Sequence, residues 1–105
     1  MATAALRKLI AQTPVLVLSK SKCPFCAKAK SLLDSHKITP LVIELDSMPN
    51  GPALQASAIS LTKHRTVPSI FVHGKHIGGY DSLALLLQTH TAARPGASLL
   101  SLPLV

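Results

Sequence analysis

Val15-Leu16-Val17-Leu18-Ser19-Lys20-Ser21-Lys22-Cys23-Pro24-Phe25-Cys26 is the stretch that decides the fold. It opens with a short apolar run that reads as a buried strand. It closes with both cysteines of the chain, three positions apart. Pro24 suits the first turn of a helix, where a missing N–H costs nothing, and the residues after it have helical periodicity. A strand that ends in two thiols at the mouth of a helix is the arrangement expected of a thiol–disulfide redox site.

Working outward, Thr3 to Gln12 carries Leu6, Leu9 and Ile10 at helical spacing, with Thr3 as a candidate N-cap and Pro14 ending the segment. Pro24 to His36 reads as a helix whose apolar side is Phe25, Ala29, Leu32 and Leu33. Leu41 to Leu45 reads as a second strand, Asp46 to Gly51 as a loop, and Pro52 to Thr62 as a helix with Leu54, Ala58 and Leu61 in one stripe. Ser69 to Val72 and Lys75 to Gly78 are two short strands joined by His73-Gly74, a hairpin signal. Asp81 or Ser82 then caps a last helix with Leu83, Leu86 and Leu87 inward. Periodicity stops near Thr91 and Arg94-Pro95-Gly96 follows, so residues 1–91 are expected to form the domain and 92–105 a C-terminal tail. Strands joined through a helix should run parallel, whereas a hairpin is antiparallel. The expected architecture is α/β, a four-stranded mixed sheet flanked by helices on both faces.

The composition supports one small domain: 105 residues, 48% of them hydrophobic and only 14% charged, which excludes a disordered chain. With no Trp, one Tyr and two Phe, the core must be aliphatic. Eleven basic and four acidic residues leave a net charge of +7, which favours acidic partners. Lys20, Lys22, Lys28 and Lys30 flank the cysteines. Too few aromatics are present to stack bases, so nucleic acid is not an expected partner. No apolar run reaches the length of a membrane span. Met1 to Ile10 mixes Arg7 and Lys8 into an Ala/Leu stretch, too short and too charged for a signal-peptide core. Two cysteines are no secreted disulfide framework. The expected location is cytoplasmic, with organellar import of a longer precursor left open.

A nucleophilic cysteine must be a thiolate. Cys23 stands where the helix N-terminus presents unpaired N–H groups and the positive end of its dipole, with Lys20 and Lys22 adding positive potential. Cys26 lies nearly one turn further in and should be more buried, closer to an ordinary thiol, and able to attack a mixed disulfide on Cys23. Structural zinc would need two more ligands, and no histidine pair has the usual spacing; His73 and His76 come closest. No metal is therefore expected. Two other constellations stand out. A cis bond before Pro68 in Thr66-Val67-Pro68 would turn the Val67 backbone outward to pair with an extended peptide; a plain trans proline at a strand start is the alternative. Gly78-Gly79-Tyr80-Asp81-Ser82 puts glycines before a helix start whose N–H groups could hold a carboxylate.

Together these segments resemble dithiol glutaredoxins. The resemblance runs from about Leu6 to Gln88 and rests on Ser19 to Cys26, on Arg65-Thr66-Val67-Pro68-Ser69-Ile70-Phe71-Val72, and on Gly74 to Leu83. It implies a thioredoxin fold with cis Pro68 and a glutathione groove. Cys23 would be the nucleophile and Cys26 the resolving thiol. Lys20 would pair with the glycine carboxylate of glutathione, with Arg65 as a helper, and Val67 would hydrogen-bond its cysteine backbone. Gly79, Asp81 and Ser82 would hold the γ-glutamyl end, with Phe25, Thr66, Pro68 and Tyr80 completing the site. The chain departs from the family pattern in having Pro24-Phe25 where Pro-Tyr is commoner, His64 where Gln is frequent, and Asp81-Ser82 where Ser-Asp or Asp-Asp is usual.

The implied function is a glutathione-dependent oxidoreductase acting on protein–glutathione mixed disulfides and protein disulfides, as a monomer with glutathione as co-substrate. One alternative is a dimer holding a glutathione-ligated [2Fe–2S] cluster, although cluster-binding relatives usually carry Gly or Ser where Pro24 stands. Another is a thioredoxin-like reductase served by a flavoenzyme.

Overall fold

Every residue of the run Val15–Ser19 is buried, which places it at the centre of a sheet. In the computed structural model, which describes residues 2–93, this run is strand β1. The elements follow in the order α1 (Ala2–Gln12), β1 (Val15–Ser19), α2 (Pro24–Ser35), β2 (Leu41–Glu44), a 3-10 turn (Leu45–Ser47), α3 (Gly51–Thr62), β3 (Ser69–Val72), β4 (Lys75–Gly78) and α4 (Tyr80–Ala93). The four strands are ordered β2-β1-β3-β4. β1 runs parallel to β2, with Ser19 opposite Glu44, and antiparallel to β3, with Leu18 opposite Ser69. β3 and β4 form an antiparallel hairpin. Its turn, His73-Gly74, has φ of 50° and 83°. Two consecutive positive φ values are what a tight primed hairpin turn requires, and glycine adopts them without penalty.

Alternation along the strands feeds two cores. Val15, Val17, Ile70 and Val72 point to one face, where Ala29 and Leu33 of α2 and Leu83 and Leu87 of α4 cover them. Leu16, Leu18 and Phe71 point to the other, covered by Leu6 of α1 and Leu54 and Ala58 of α3. The mixed sheet with helices on both faces is the expected one.

Several local expectations are corrected. α1 begins at Ala2, so Thr3 lies inside the helix; its hydroxyl bonds the Ser57 hydroxyl at 2.8 Å and ties α1 to α3. Phe25 is not on the buried side of α2: it is 53% exposed, and the inward stripe is Cys26, Ala29 and Leu33. The helix starts at Pro24, and the 100° advance per residue turns Phe25 out when Cys26 turns in. β2 stops at Glu44 because Leu45 turns into the 3-10 segment and buries its side chain against α3. Asp81 and Ser82 lie within the first turn of α4, which begins at Tyr80, and do not cap it. α4 runs through residues 92 and 93, past the expected domain boundary. The rest of the expected tail, 94–105, lies outside the described residues.

Candidate active site

Cys23 is the N-cap of α2, with extended backbone (φ −93°, ψ 119°), and Pro24 fills the first helical position. Its own N–H donates to the Lys20 carbonyl at 3.1 Å, closing a tight turn over Lys20–Cys23. That turn is anchored from outside: the Ser21 N–H and hydroxyl both donate to the Asp46 carboxylate, the hydroxyl at 2.7 Å. These donors hold the Asp46 carboxyl below its ordinary range. Asp46 belongs to no local motif. Only the placement of the 3-10 turn beside the active-site loop brings it there.

The two thiols are free and differ sharply in surroundings. Cys23 is half-buried, and as a thiol it donates to the Val67 carbonyl over 3.7 Å. Burial alone would push its pKa up. The Cys26 backbone N–H, the Cys26 thiol, the Phe25 N–H and the Lys20 charge outweigh that and hold it below the ordinary thiol value. The helix N-terminus thus supplies the donors expected of it, from the two residues after Pro24. Cys26 is fully buried. Burial pushes its thiol up, and the Cys23 sulfur adds to this. The Lys20 N–H and the Ser19 hydroxyl oppose the rise without cancelling it. One thiol is poised as a nucleophile and its neighbour is kept protonated.

Beside Cys23 lies an open groove of about 490 Å³. One wall is Thr66, Val67 and Pro68, and the Val67–Pro68 peptide is cis. Gly79, Tyr80, Asp81 and Ser82 at the start of α4 continue the lining, with Gly79 close against the Pro68 carbonyl. Phe25 forms the rim, its ring 6.1 Å from that of Tyr80 and covered on one side by the Lys28 ammonium, 5.1 Å from the ring centre. The structure therefore gathers Phe25, Thr66, Val67, Pro68, Gly79, Tyr80, Asp81 and Ser82 around one groove at the edge of which Cys23 stands. Lys20 and Arg65 do not line it. Lys20 flanks Cys23, and exposed Arg65 borders a separate recess of about 10 Å³.

His64 is the groove residue that sequence reasoning left out of the site. α3 ends at Lys63 in a left-handed conformation (φ 62°), which turns the chain so that the His64 ring enters the groove wall. Its Nε2 lies 3.3 Å from the Pro68 carbonyl and 3.2 Å from the Thr66 hydroxyl. The departure from the commoner Gln was the available signal. Among the described residues, no cluster of three or more His, Cys, Asp or Glu could hold a metal ion. No described helix is long and apolar enough to cross a membrane.

The glutaredoxin family model matches residues 15–77, more than half of the 105. This chain belongs to the glutaredoxin family. Among glutaredoxins, glutaredoxin-C6 of Oryza sativa subsp. japonica is 44% identical over 86 residues, spanning 82% of this chain and 77% of its own length. The crystal structure of the buckwheat glutaredoxin–glutathione complex superposes with a TM-score of 0.79 at 37% identity, covering 90% of this chain and 83% of that one. Wheat glutaredoxin superposes with a TM-score of 0.80 at 41% identity, covering 84% and 83%. The fold is the thioredoxin fold of those structures, and the protein is a thiol–disulfide oxidoreductase whose C-x-x-C is Cys23 to Cys26.

Proposed function

We propose that the protein is a glutathione-dependent reductase that removes glutathione from protein–glutathione mixed disulfides and also reduces protein disulfides. The observation that carries this reading is the asymmetry of the thiols: a half-exposed Cys23 with donors for its thiolate, and a fully buried Cys26 held as a thiol. The glutathione complex of the buckwheat relative supports glutathione as co-substrate.

The Cys23 thiolate attacks the glutathione sulfur of the mixed disulfide. A Cys23–glutathione disulfide forms, and the protein thiolate leaves with the bonding pair and takes a proton. A second glutathione thiolate then attacks that disulfide, restoring Cys23 and releasing oxidised glutathione. The cysteine backbone of glutathione pairs with the Val67 N–H and C=O, as a strand would. Asp81, with Gly79 and Ser82, receives the γ-glutamyl end at the start of α4. Lys20 and Arg65 sit outside the groove walls, from where flexible side chains reach toward the glycine carboxylate. Phe25 and Tyr80 supply apolar rim, and Thr66 and Pro68 shape the wall. With a protein disulfide, Cys26 resolves the mixed disulfide internally. A single chain suffices for all these steps.

The test is glutathione-coupled turnover of a small glutathione mixed disulfide by wild type, Cys26→Ser and Cys23→Ser. Wild type and Cys26→Ser should turn over, and Cys23→Ser should be inactive. Activity in Cys23→Ser, or none in wild type, would refute the assignment.

A further inference from the structure

The groove beside Cys23 holds about 490 Å³, room for a tripeptide and not for a protein joined to it. The protein half of a mixed disulfide must therefore rest on the surface around the groove mouth. One side of that mouth is the solvent face of α2. Phe25 opens this face at 53% exposure, in ring contact with Tyr80. A lone exposed ring needs no explanation. This one carries a cation: the ammonium of Lys28, one helical turn on, lies 5.1 Å from the ring centre. The contact holds the charge in place, so less freedom is lost when a partner's carboxylate meets it.

Nothing in the described chain neutralises that charge. Lys28 has no ion-pair partner among the described residues, and neither has Lys22, exposed just before Cys23. The residues one turn either side of Lys28, among them Pro24, Ser31 and Leu32, are uncharged. The first turn of α2 carries no acidic residue, although the positive end of the helix dipole favours one. The four acidic residues are placed elsewhere. Glu44 bonds Lys30, Asp46 bonds Ser21, Asp81 lines the groove, and Asp34 stands about 240° around α2 from Lys28. The charge that complements this face is one that a partner brings.

We propose that Phe25, Lys28 and Lys22 form the docking face for the protein half of the mixed disulfide, and that this face selects cysteines flanked by acidic residues. The inference rests on the reading of the groove as a glutathione site. Phe25 offers the partner an apolar contact, and the two ammonium groups meet its carboxylates. An acidic neighbour of the target cysteine gains an exposed ion pair, about two- to fivefold in kcat/KM, and a basic neighbour meets repulsion of similar size.

The test uses glutathionylated peptides of one sequence, with either Glu or Lys at the two positions on each side of the cysteine. A small glutathione mixed disulfide, which has no protein half, serves as the reference substrate. Wild type should prefer the Glu peptide several-fold in kcat/KM. Net charge alone would also favour it, so Lys28→Glu is compared with Lys8→Glu. Lys8 is exposed on α1, which covers the other face of the sheet from α2. Both substitutions change the net charge equally. Lys28→Glu should lower the preference at least twofold further than Lys8→Glu, and the two should turn over the small disulfide alike. Equal preferences in the two variants would overturn the proposal, since net charge would then suffice. A larger fall on the small disulfide in Lys28→Glu would also overturn it, by placing Lys28 in glutathione capture. So would a dimer in sedimentation that Lys28→Glu dissociates, since a second copy would then cover the face. Where Lys28→Glu does not fold, Lys28→Gln against Lys8→Gln decides by the same comparison. A wild type active on the small disulfide and indifferent to the flanks overturns this inference alone. A wild type inactive on both overturns the glutathione reading, and this inference with it.

Discussion

His76 is a residue whose surroundings make the stability of the protein pH-dependent. Its ring packs 4.9 Å from Phe71 and 5.2 Å from His64, and its Nε2 lies 3.0 Å from the Ser69 hydroxyl. Burial first, and the His64 charge second, hold its pKa below the ordinary 6.5. The unfolded chain therefore binds a proton at His76 more readily than the folded one. Its contribution is fully present above about pH 6.5 and is lost as pH falls through that value toward the lower folded one. Thermal unfolding between pH 7.5 and pH 5, as an order-of-magnitude window around that value, should show a fall in Tm that His76→Gln flattens. Equal slopes in the two proteins would contradict this account. At this same scale the chemistry of the two cysteines was legible, because position within one helical turn is local information. The role of Asp46 was not, since its partner Ser21 lies 25 residues away, nor was that of His64, whose ring meets the groove only where Gly79 and His76 of later elements come beside it.

Among the elements, the junction between the 3-10 turn and α3 is the most demanding. Gly51 opens α3 at a buried position, and a Cβ there would collide with the Leu45 backbone. The clash is with main chain, so no side-chain rotation relieves it. Gly51→Ala should destabilise the fold by about 1–3 kcal/mol, the range for overpacking. Chemical denaturation would read this as a lower midpoint at unchanged slope, and an unchanged midpoint would show that the turn yields freely. The existence and type of every expected helix and strand agree with the sequence periodicity, and the errors sit at their ends. Leu45 looked like strand because its apolar side chain continues the run from Leu41. It turns because packing against α3 secures more burial than another rung on an edge strand.

At the scale of the whole molecule, 11 basic and 4 acidic residues leave a net charge of +7 on a chain whose proposed site takes an anionic ligand. Glu44 is paired with Lys30, and the carboxylates left near the site, Asp46 and Asp81, are outnumbered by Lys20, Lys22 and Lys28 flanking the cysteines. Association with a glutathione mixed disulfide should therefore be steered by charge. Raising ionic strength from about 0.01 M to about 1 M shortens the screening length from about 30 Å to about 3 Å. kcat/KM for the anionic substrate should fall several-fold over that range, while an uncharged disulfide shows no such fall. A salt-independent kcat/KM would mean that the net charge plays no part in capture.

By itself the sequence determined the elements, their order and the division of labour between Cys23 and Cys26. Strand and helix periods, a proline at a helix start and donors within one turn of a thiol are set by neighbours a few residues away. Only the tertiary structure decided that Thr66–Pro68 and Gly79–Ser82 line one groove, that Phe25 stands at its rim, and that Lys20 and Arg65 lie outside its walls. It also decided that Ser19 stands opposite Glu44 across the parallel strands and that Lys30 of α2 pairs with Glu44. Those placements follow from how β1 sits between β2 and β3, and a pairing between strands is a long-range choice made by the burial of two cores at once.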